Sequence, residues 1–312
     1  MDKLKRFKVS ILFVPEARGG RMETKRETET GLRLGIFPNM NIEKVRTHFK
    51  MVLDLCRKFG ITVILPGDLA DIWKLEKFTG KASRLDAAVS LGGDGSFLRM
   101  AREMVKIDVP VFGINFGHLG FLAEIEFDGM ELALEQLVKR QFTMEKRHLL
   151  QAQVVSEGKN KVKGELAINE FVAARGNLST INYLELLING KPSGRYAADG
   201  LIVATATGST AYSLSAGGPL VQPGMEVMII TPICAHSLST RPLVIPSSEE
   251  VSIRLLPANT CSMVLSSDGI PLCEIEQQDL VTITRNRKAM RLIRLIDRSY
   301  YETWQQKLIR DL

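Results

Sequence analysis

The segment Gly92-Gly93-Asp94-Gly95-Ser96 sets a carboxylate among glycines, between an apolar run and a helical pattern. Such glycines let a backbone approach a ligand closely and turn its N–H groups toward phosphate oxygens. A helix N-terminus behind them adds partial positive charge. A carboxylate cannot bind phosphate directly. It can accept a proton from an attacking hydroxyl, or help to hold Mg²⁺. The same residues also build a tight turn closed by an Asx hydrogen bond, and taken alone they do not choose between the two. No GxxxxGK[ST] pattern occurs, so this is not a P-loop enzyme.

Three further stretches carry polar chemistry. Residues 113–122, Gly-Ile-Asn-Phe-Gly-His-Leu-Gly-Phe-Leu, follow the next apolar run. Phe121 would line an apolar pocket for a base or sugar there, or simply join the core. His118 reads as a hydrogen-bonded loop histidine. Asn169-Glu170 follows Leu166-Ala167-Ile168, and an amide beside a carboxylate can read an adenine or a ribose diol through paired hydrogen bonds. Residues 199–219 run from Asp199 through an apolar strand into a hydroxyl-rich turn with Thr207, Thr210, Ser213 and Ser215, closed by Gly217-Gly218-Pro219. Small hydroxyls at a helix start suit capping, and equally suit anion or ribose binding. Cys234-Ala235-His236 has no second pair at ligand spacing, which argues against a metal site.

Positioning these residues falls to alternating elements. Apolar residues predict strands at 34–37, 61–65, 86–91 and 109–115. Helical spacing of Ile42, Val45, Phe49, Val52, Cys56 and Phe59 predicts a helix N-capped by Asn41 and stopped by Gly60. Further helices are predicted at 97–105 and at 130–139, the latter capped by Asp128. Strands alternating with helices argue for a parallel sheet covered by helices. Beyond residue 142 the rhythm changes to short apolar segments at 149–155, 184–188, 201–205, 228–231, 251–256, 262–265 and 280–284. These are broken by Gly, Pro, Ser or Asn, the mark of a β-rich domain. Only 209–216 reads as helical there. The tail offers a strand at 290–296 and a helix at 300–309. Its basic residues, Arg285, Arg287, Lys288, Arg291 and Arg294, read as a solvated face. Residues 1–31 read as a polar, partly disordered extension, with a strand at 8–14.

Composition bounds the class. The chain has 312 residues, 45% hydrophobic and 24% charged, with a formal net charge of +6. That length suits two domains. The charge is compatible with a phosphorylated ligand, though solubility alone explains it. No zinc-finger or aromatic RNA-binding motif and no lysine tract appears, so nucleic acid is not expected. No apolar run is long enough for a membrane span, and no signal peptide is evident. Four cysteines without a CxxC pair fit a reducing cytoplasm.

Together, GGDGS (92–96), INE (168–170), DGLIVATATGSTAYSLSAGGP (199–219) and TPICAHSLSTRPLVIP (231–246) resemble the signature segments of the NAD kinase family. The resemblance runs from about residue 34 to the C-terminus. It implies transfer of the ATP γ-phosphoryl group to the 2′-hydroxyl of the adenosine ribose of NAD. It also implies a divalent metal, usually Mg²⁺, and a homodimer or homotetramer. The implied fold is a Rossmann-like α/β domain (32–145), a β-rich, sandwich-like domain (146–285) and a tail (286–312) that returns to the first.

By position, the resemblance makes Asp94 the general base and places Gly92, Gly93, Gly95 and Ser96 in the phosphate loop. Phe121, Asn169, Glu170, Ala197 and Asp199 fall in the NAD site. Thr207, Thr210, Ala211, Tyr212, Ser213, Leu214 and Ser215 line the adenine and ribose site, and Asp268 and Ile270 lie beside it. Some positions depart from the family pattern. Ser96 stands where Thr is common, Ala206 where Pro is frequent, and Ile270 where Gln is common. Ala197, and Thr180 with it, stand where a basic residue is often found. GGDG is shared with lipid and sphingoid kinases, and a non-catalytic nucleotide sensor is the third reading. The 199–219 stretch argues against the lipid kinase, and Asp94 argues against the sensor.

Overall fold

Every residue of two short strands, β4 (Ala87–Leu91) and β5 (Val111–Asn115), is buried, as expected for central strands of a parallel sheet covered on both faces. These strands belong to a computed structural model that describes residues 31–117, 120–176, 181–237, 239–257 and 262–308. The anticipated strand at 8–14, nearly all of the 1–31 extension, His118 and Thr180 lie outside the described residues.

Around β4 and β5 the first half runs β1 (Arg33–Pro38), α1 (Glu43–Lys58), β2 (Thr62–Leu65), α2 (Gly67–Trp73) and β3 (Glu76–Lys77). It continues with α3 (Asp94–Ile107), β6 (Ile125–Glu126) and α4 (Met130–Val138). All strand pairings within this half are parallel. Val45, Phe49, Val52 and Cys56 of α1 and Ala133, Leu134 and Leu137 of α4 pack on one face of the sheet. Phe97, Met100, Ala101 and Met104 of α3 cover the other face.

The second half opens with β7 (Thr143–Ser156), β8 (Lys159–Ala167), β9 (Glu170–Arg175), β10 (Asn182–Ile188), β11 (Lys191–Ala198) and β12 (Gly200–Thr205). A 3₁₀ turn at Thr207–Thr210 and one short helix, α5 (Tyr212–Ser215), follow. The chain then runs through β13 (Val227–Ile233), β14 (Leu243–Pro246), β15 (Val251–Leu255), β16 (Met263–Ser267), β17 (Ile270–Ile275) and β18 (Asp279–Arg294) to α6 (Tyr300–Leu308). Six strands form an antiparallel sheet ordered β14-β13-β12-β9-β16-β17. Its Phe171, Leu201, Val203 and Leu265 meet Leu150, Val154, Leu184 and Ile253 of the other sheet in a shared core, which gives the β-rich sandwich expected.

The halves are joined through β18. Its Asp279–Arg285 portion pairs with β7, and Val281–Ile283 also pairs with β15. After a register shift between Arg285 and Ala289, Leu292 pairs in parallel with Val111 of β5. One sheet therefore runs β11-β10-β15-β18-β5-β4-β1-β2-β3. The segments anticipated separately at 280–284 and 290–296 are a single strand, whose polar interruption is this irregularity. Of the basic tail residues, Arg285, Arg287 and Lys288 are exposed as expected, and Arg294 is not. Arg285 pairs with Glu226, Arg291 with Asp108, and Arg294 is largely buried against Glu124.

Two helix starts also differ from expectation. Asn41 caps nothing: α1 starts after Ile42, and the Asn41 N–H donates to Asn39 Oδ1 at 3.2 Å. Asp128 lies inside a 3₁₀ turn, Phe127–Gly129, that leads directly into α4. Among the described residues no helix is long and apolar enough to cross a membrane.

The α1 face sets the stability of the first half. Phe49 is fully buried, so Phe49→Ala should lower the unfolding free energy by about 3–5 kcal/mol, measured by urea denaturation.

Candidate active site

The strand β4 ends at Leu91, and the chain turns through Gly92 and Gly93 into α3, whose first residue is Asp94. A Cβ on Gly92 would stand 2.6 Å from Ser96 Oγ and 2.9 Å from Ser96 Cβ. Gly92 is thus a close-packed corner. Ser96 Oγ in turn accepts from Asn39 Nδ2 at 2.9 Å. A Cβ on Gly93 or Gly95 would meet nothing within 4 Å, so both glycines face open space. Beside this turn, the loop after β5 delivers three consecutive N–H groups to the Asp94 carboxylate. Phe121 N–H donates to Oδ2 at 2.8 Å, and those of Leu122 and Ala123 donate to Oδ1, each at 3.0 Å. Adjacent parallel strands place both loops at the carboxyl edge of the sheet, where α/β folds bind ligands.

A carboxylate offers about four acceptor sites. Protein N–H groups fill two on Oδ1 and one on Oδ2, so the remaining site is on Oδ2. Gly120 allows this closeness, because a Cβ there would stand 2.1 Å from Asp94 Oδ1.

Next to Ala123, Glu124 starts a buried charge network that sequence reasoning missed. Arg294 Nε lies 2.8 Å from Glu124 Oε2, and Arg294 Nη1 donates to Glu145 Oε1 at 3.2 Å. Arg147, 2% exposed, pairs with Glu145, donates to the Tyr300 hydroxyl at 2.6 Å and reaches Thr207 Oγ1 at 3.3 Å. Both guanidinium groups lie over the Tyr300 ring. Burial pushes Glu124 up to about 7, against the pull of Arg294 and Arg147. The network joins the Asp94 loop, α6 and the hydroxyl-rich turn after β12.

Asn169 and Glu170 sit at the corner between β8 and β9, 7% and 6% exposed. Asn169 Oδ1 and Glu170 Oε2 have no hydrogen-bond partner among the described residues. A ligand or an ordered water can supply the missing partners of such buried atoms. Burial, and then the charge of Asp268, raise Glu170 to about 8. Asp268 itself is fully engaged by protein. Its Oδ1 accepts from the N–H groups of Asn169 and Glu170, and its Oδ2 from Ile168 N–H and Arg102. It therefore fixes the corner and ties it to α3 through Arg102, a residue eight positions beyond Asp94 on that helix.

The turn after β12 packs on the same corner. Thr205 N–H donates to Asn169 O at 2.8 Å, and a Cβ on Gly208 would stand 2.2 Å from that oxygen. The segment 209–216 is not one helix. The backbone breaks at Ala211, with φ −101° and ψ −135°, between the 3₁₀ turn and α5. Several of its hydroxyls are spent internally. Ser209 Oγ bonds the Val221 backbone, Ser213 Oγ bonds Thr231 Oγ1, and Thr210 Oγ1 donates to Thr207 O. Tyr212 and Ser215 are exposed, and Ala211 and Leu214 are half-buried. Ile270, 49% exposed, starts β17 beside the Asp268 turn.

Asp199 and Ala197 lie elsewhere. Asp199 pairs with Arg175 at 3.0 Å at the start of β12, and the Ala197 carbonyl accepts from His236 N–H. Glu170 faces Ala204, near the other end of that strand. Five strand residues separate the two ends, roughly 17 Å. The Asn169 corner and the Thr207 turn thus sit together at one end of the antiparallel sheet, tied to α3 through Arg102, while Asp199 lies at the other end of β12 with Ala197 two residues before it. Among the described residues no group of three or more His, Cys, Asp or Glu side chains could hold a metal ion.

Two family models match the chain. The ATP-NAD kinase N-terminal domain matches residues 36–142, and the ATP-NAD kinase C-terminal domain matches residues 168–295. The NAD kinase of Moorella thermoacetica is 37% identical over 279 residues, covering 88% of this chain and 89% of its own. The NAD kinase of Clostridium botulinum (strain 657 / Type Ba4) is 42% identical over 224 residues, 72% of this chain and 78% of its own. Among solved structures, yeast NADH kinase complexed with NADH superposes with a TM-score of 0.81 at 25% identity, covering 89% of this chain and 87% of its own.

Two outcomes follow from the geometry. Gly120→Ala should cut kcat by about 10²-fold with an unchanged circular dichroism spectrum, since the added Cβ must displace the Asp94 carboxylate and a displacement near 1 Å suffices for such a loss. Glu170 titrates near 4.5 when free and at about 8 when folded. Its contribution to stability is full below pH 4.5 and is lost as pH rises through 8. Glu170→Gln removes that loss, so its urea midpoint should gain on the parent between pH 5 and pH 8. A pH-independent difference would contradict the shift.

Proposed function

Because the chain belongs to the NAD kinase family, we propose that Asp94 is the general base of its reaction and that Asn169 and Glu170 hold the acceptor nucleoside. The reaction is phosphorylation of NAD to NADP, and ATP is the phosphoryl donor. Both family models describe an ATP-NAD kinase, and the lipid kinase and sensor readings fall away.

The observation that carries the assignment is the Asp94 clamp. Three N–H groups fix the carboxylate at the N-terminus of α3 and leave an acceptor site on Oδ2. In the proposed step the ribose 2′-hydroxyl donates its proton to Oδ2 as its oxygen bonds the γ-phosphorus. The bond from that phosphorus to the β–γ bridging oxygen breaks, and ADP leaves with the electron pair. Phosphoryl transfer needs mainly positioning and charge stabilisation. The open backbone at Gly93 and Gly95 and the α3 N-terminus supply both to phosphate oxygens. Asn169 and Glu170 offer unpaired polar atoms to adenosine, and exposed Tyr212 offers an aromatic face nearby.

Among the described residues no three or more His, Cys, Asp or Glu side chains are grouped to hold a metal. A divalent cation such as Mg²⁺ would come with the ATP phosphates and need only one or two protein carboxylates.

A homodimer or homotetramer is supported by the separation of Asp199 and Ala197 from the Asn169 corner. In such an assembly a second copy would bring those positions to the Asn169 corner. A cytoplasmic location is supported by Cys56, Cys234 and Cys273, all free thiols.

Asp94→Asn keeps the size and the acceptor oxygen of the side chain but removes the base. NADP formation from ATP and NAD should fall about 10²–10⁴-fold in kcat while the protein stays folded. Unchanged turnover would remove Asp94 from this role.

A further inference from the structure

Helix α6 turns one face inward. Tyr300 is held between Arg147 and Arg294, Thr303 is 3% exposed, and Trp304 is half-buried. The spacing of three, four and seven residues marks a core-facing stripe. The next position on that stripe is Lys307, where an apolar side chain would be expected. Its Nζ lies 3.7 Å from the centre of the Phe121 ring. Phe121 is the residue whose N–H donates to Asp94 Oδ2. The helix therefore lays an ammonium on the ring of the residue whose main chain holds the Asp94 carboxylate.

Three other cations framing this region are already matched. Arg102 pairs with Asp268, Arg147 with Glu145, and Arg294 with Glu124 and Glu145. Lys307 forms no salt bridge among the described residues, although it is half-buried. Burial pulls its pKa down while the charge of Asp94 pushes it up, so the two groups lie within electrostatic reach. A partly desolvated ammonium without a salt bridge, beside the point where a phosphoryl group must arrive, is suited to phosphate oxygens.

We propose that Lys307 is a phosphate-binding residue of this site. Its ammonium, seated on Phe121, contacts the polyphosphate of a bound nucleotide, either the triphosphate of ATP or the pyrophosphate of NAD. The inference rests on the reading of Asp94 as the reacting base. In this arrangement α6 is part of the active site, and its network with Arg147, Arg294 and Glu145 sets where the ammonium sits.

The test compares Lys307→Met, which keeps the stem over Phe121 and removes the charge, with Lys307→Arg, which keeps the charge. Initial rates are taken with ATP and NAD varied separately, and ATP and NAD dissociation constants are measured by calorimetry on the full chain. Lys307→Met should lower kcat/KM at least 10-fold for one substrate and weaken its binding, with an unchanged melting temperature. Lys307→Arg should stay within about 3-fold of the parent. A rise confined to the ATP constants identifies the triphosphate, and one confined to NAD identifies the pyrophosphate. Parent-like constants in Lys307→Met would overturn the proposal. So would equal losses in both variants with a lowered melting temperature, which would mark a packing role. Weakened binding in Lys307→Met alongside a fully active Asp94→Asn would keep the phosphate contact and dismiss the base.

Discussion

Three consecutive main-chain N–H groups close on the Asp94 carboxylate, and the geometry of the sheet's carboxyl edge depends on that contact. It joins the loop after β4 to the loop after β5, the two places where a ligand at the carboxyl edge would be touched. Charge-assisted hydrogen bonds from main chain are strong and cannot rotate away as side chains do. The cost is steric. Gly120 and Gly113 lie so close to Asp94 and to Ala123 that a Cβ at either would stand under 3 Å from its neighbour. Glycines that resemble a flexible phosphate loop are thus divided between two duties. Gly92, Gly113 and Gly120 let protein parts meet, while Gly93 and Gly95 leave backbone open to a ligand.

The second half is held to this edge by strand pairing and by buried charge. β7 and β18 run beside each other along most of their length, one end in the sandwich and the other against the parallel sheet. Where they reach the α/β half, Glu124, Glu145, Arg147, Arg294 and Tyr300 form one connected cluster. Buried ion pairs recover little net stability after desolvation, but they are intolerant of wrong geometry. Here that intolerance sets the register between the Asp94 loop, the Thr207 turn and α6, three elements distant in sequence. A second tie, Arg102 to Asp268, does the same between α3 and the Asn169 corner.

Most of the α/β half was legible because its elements are simple in kind. Continuous apolar runs such as Ala87–Leu91 are strands buried on both faces, and the spacing of Val45, Phe49, Val52 and Cys56 suits only a helix. The sandwich was legible as a class but not strand by strand. β8 (Lys159–Ala167) and β11 (Lys191–Ala198) are rich in Lys, Gly and exposed positions, so their pairing partners, not their composition, make them strands. The continuity of β18 was hidden by Arg285–Lys288, whose charges coincide with a register shift. Asp94, Asn169 and Glu170 were visible as types in context. Arg147, Glu124 and Lys307 were not, because a lone charged residue within a strand or helix shows no sign of burial until its neighbours in space are known. Spacing held a clue for Lys307, which continues the stripe of Tyr300, Thr303 and Trp304.

The Asn169 corner shows why two carboxylates can stand together without cancelling each other's use. Asp268 has four protein donors, one of them the Arg102 guanidinium, so its negative charge is well compensated. Glu170 has no such company. Its buried Oε2 lacks a partner, and burial together with the Asp268 charge raises it to about 8. Near neutral pH it is therefore mostly protonated, and a protonated carboxyl both donates and accepts a hydrogen bond. Beside it the Asn169 amide also offers both polarities. A nucleoside presents donors and acceptors side by side, on its base edge and on its ribose hydroxyls, and an ionised glutamate could only accept. Burial, with the Asp268 charge added, thus decides the chemistry of Glu170, and the corner becomes suited to a neutral polar group that presents donors and acceptors together.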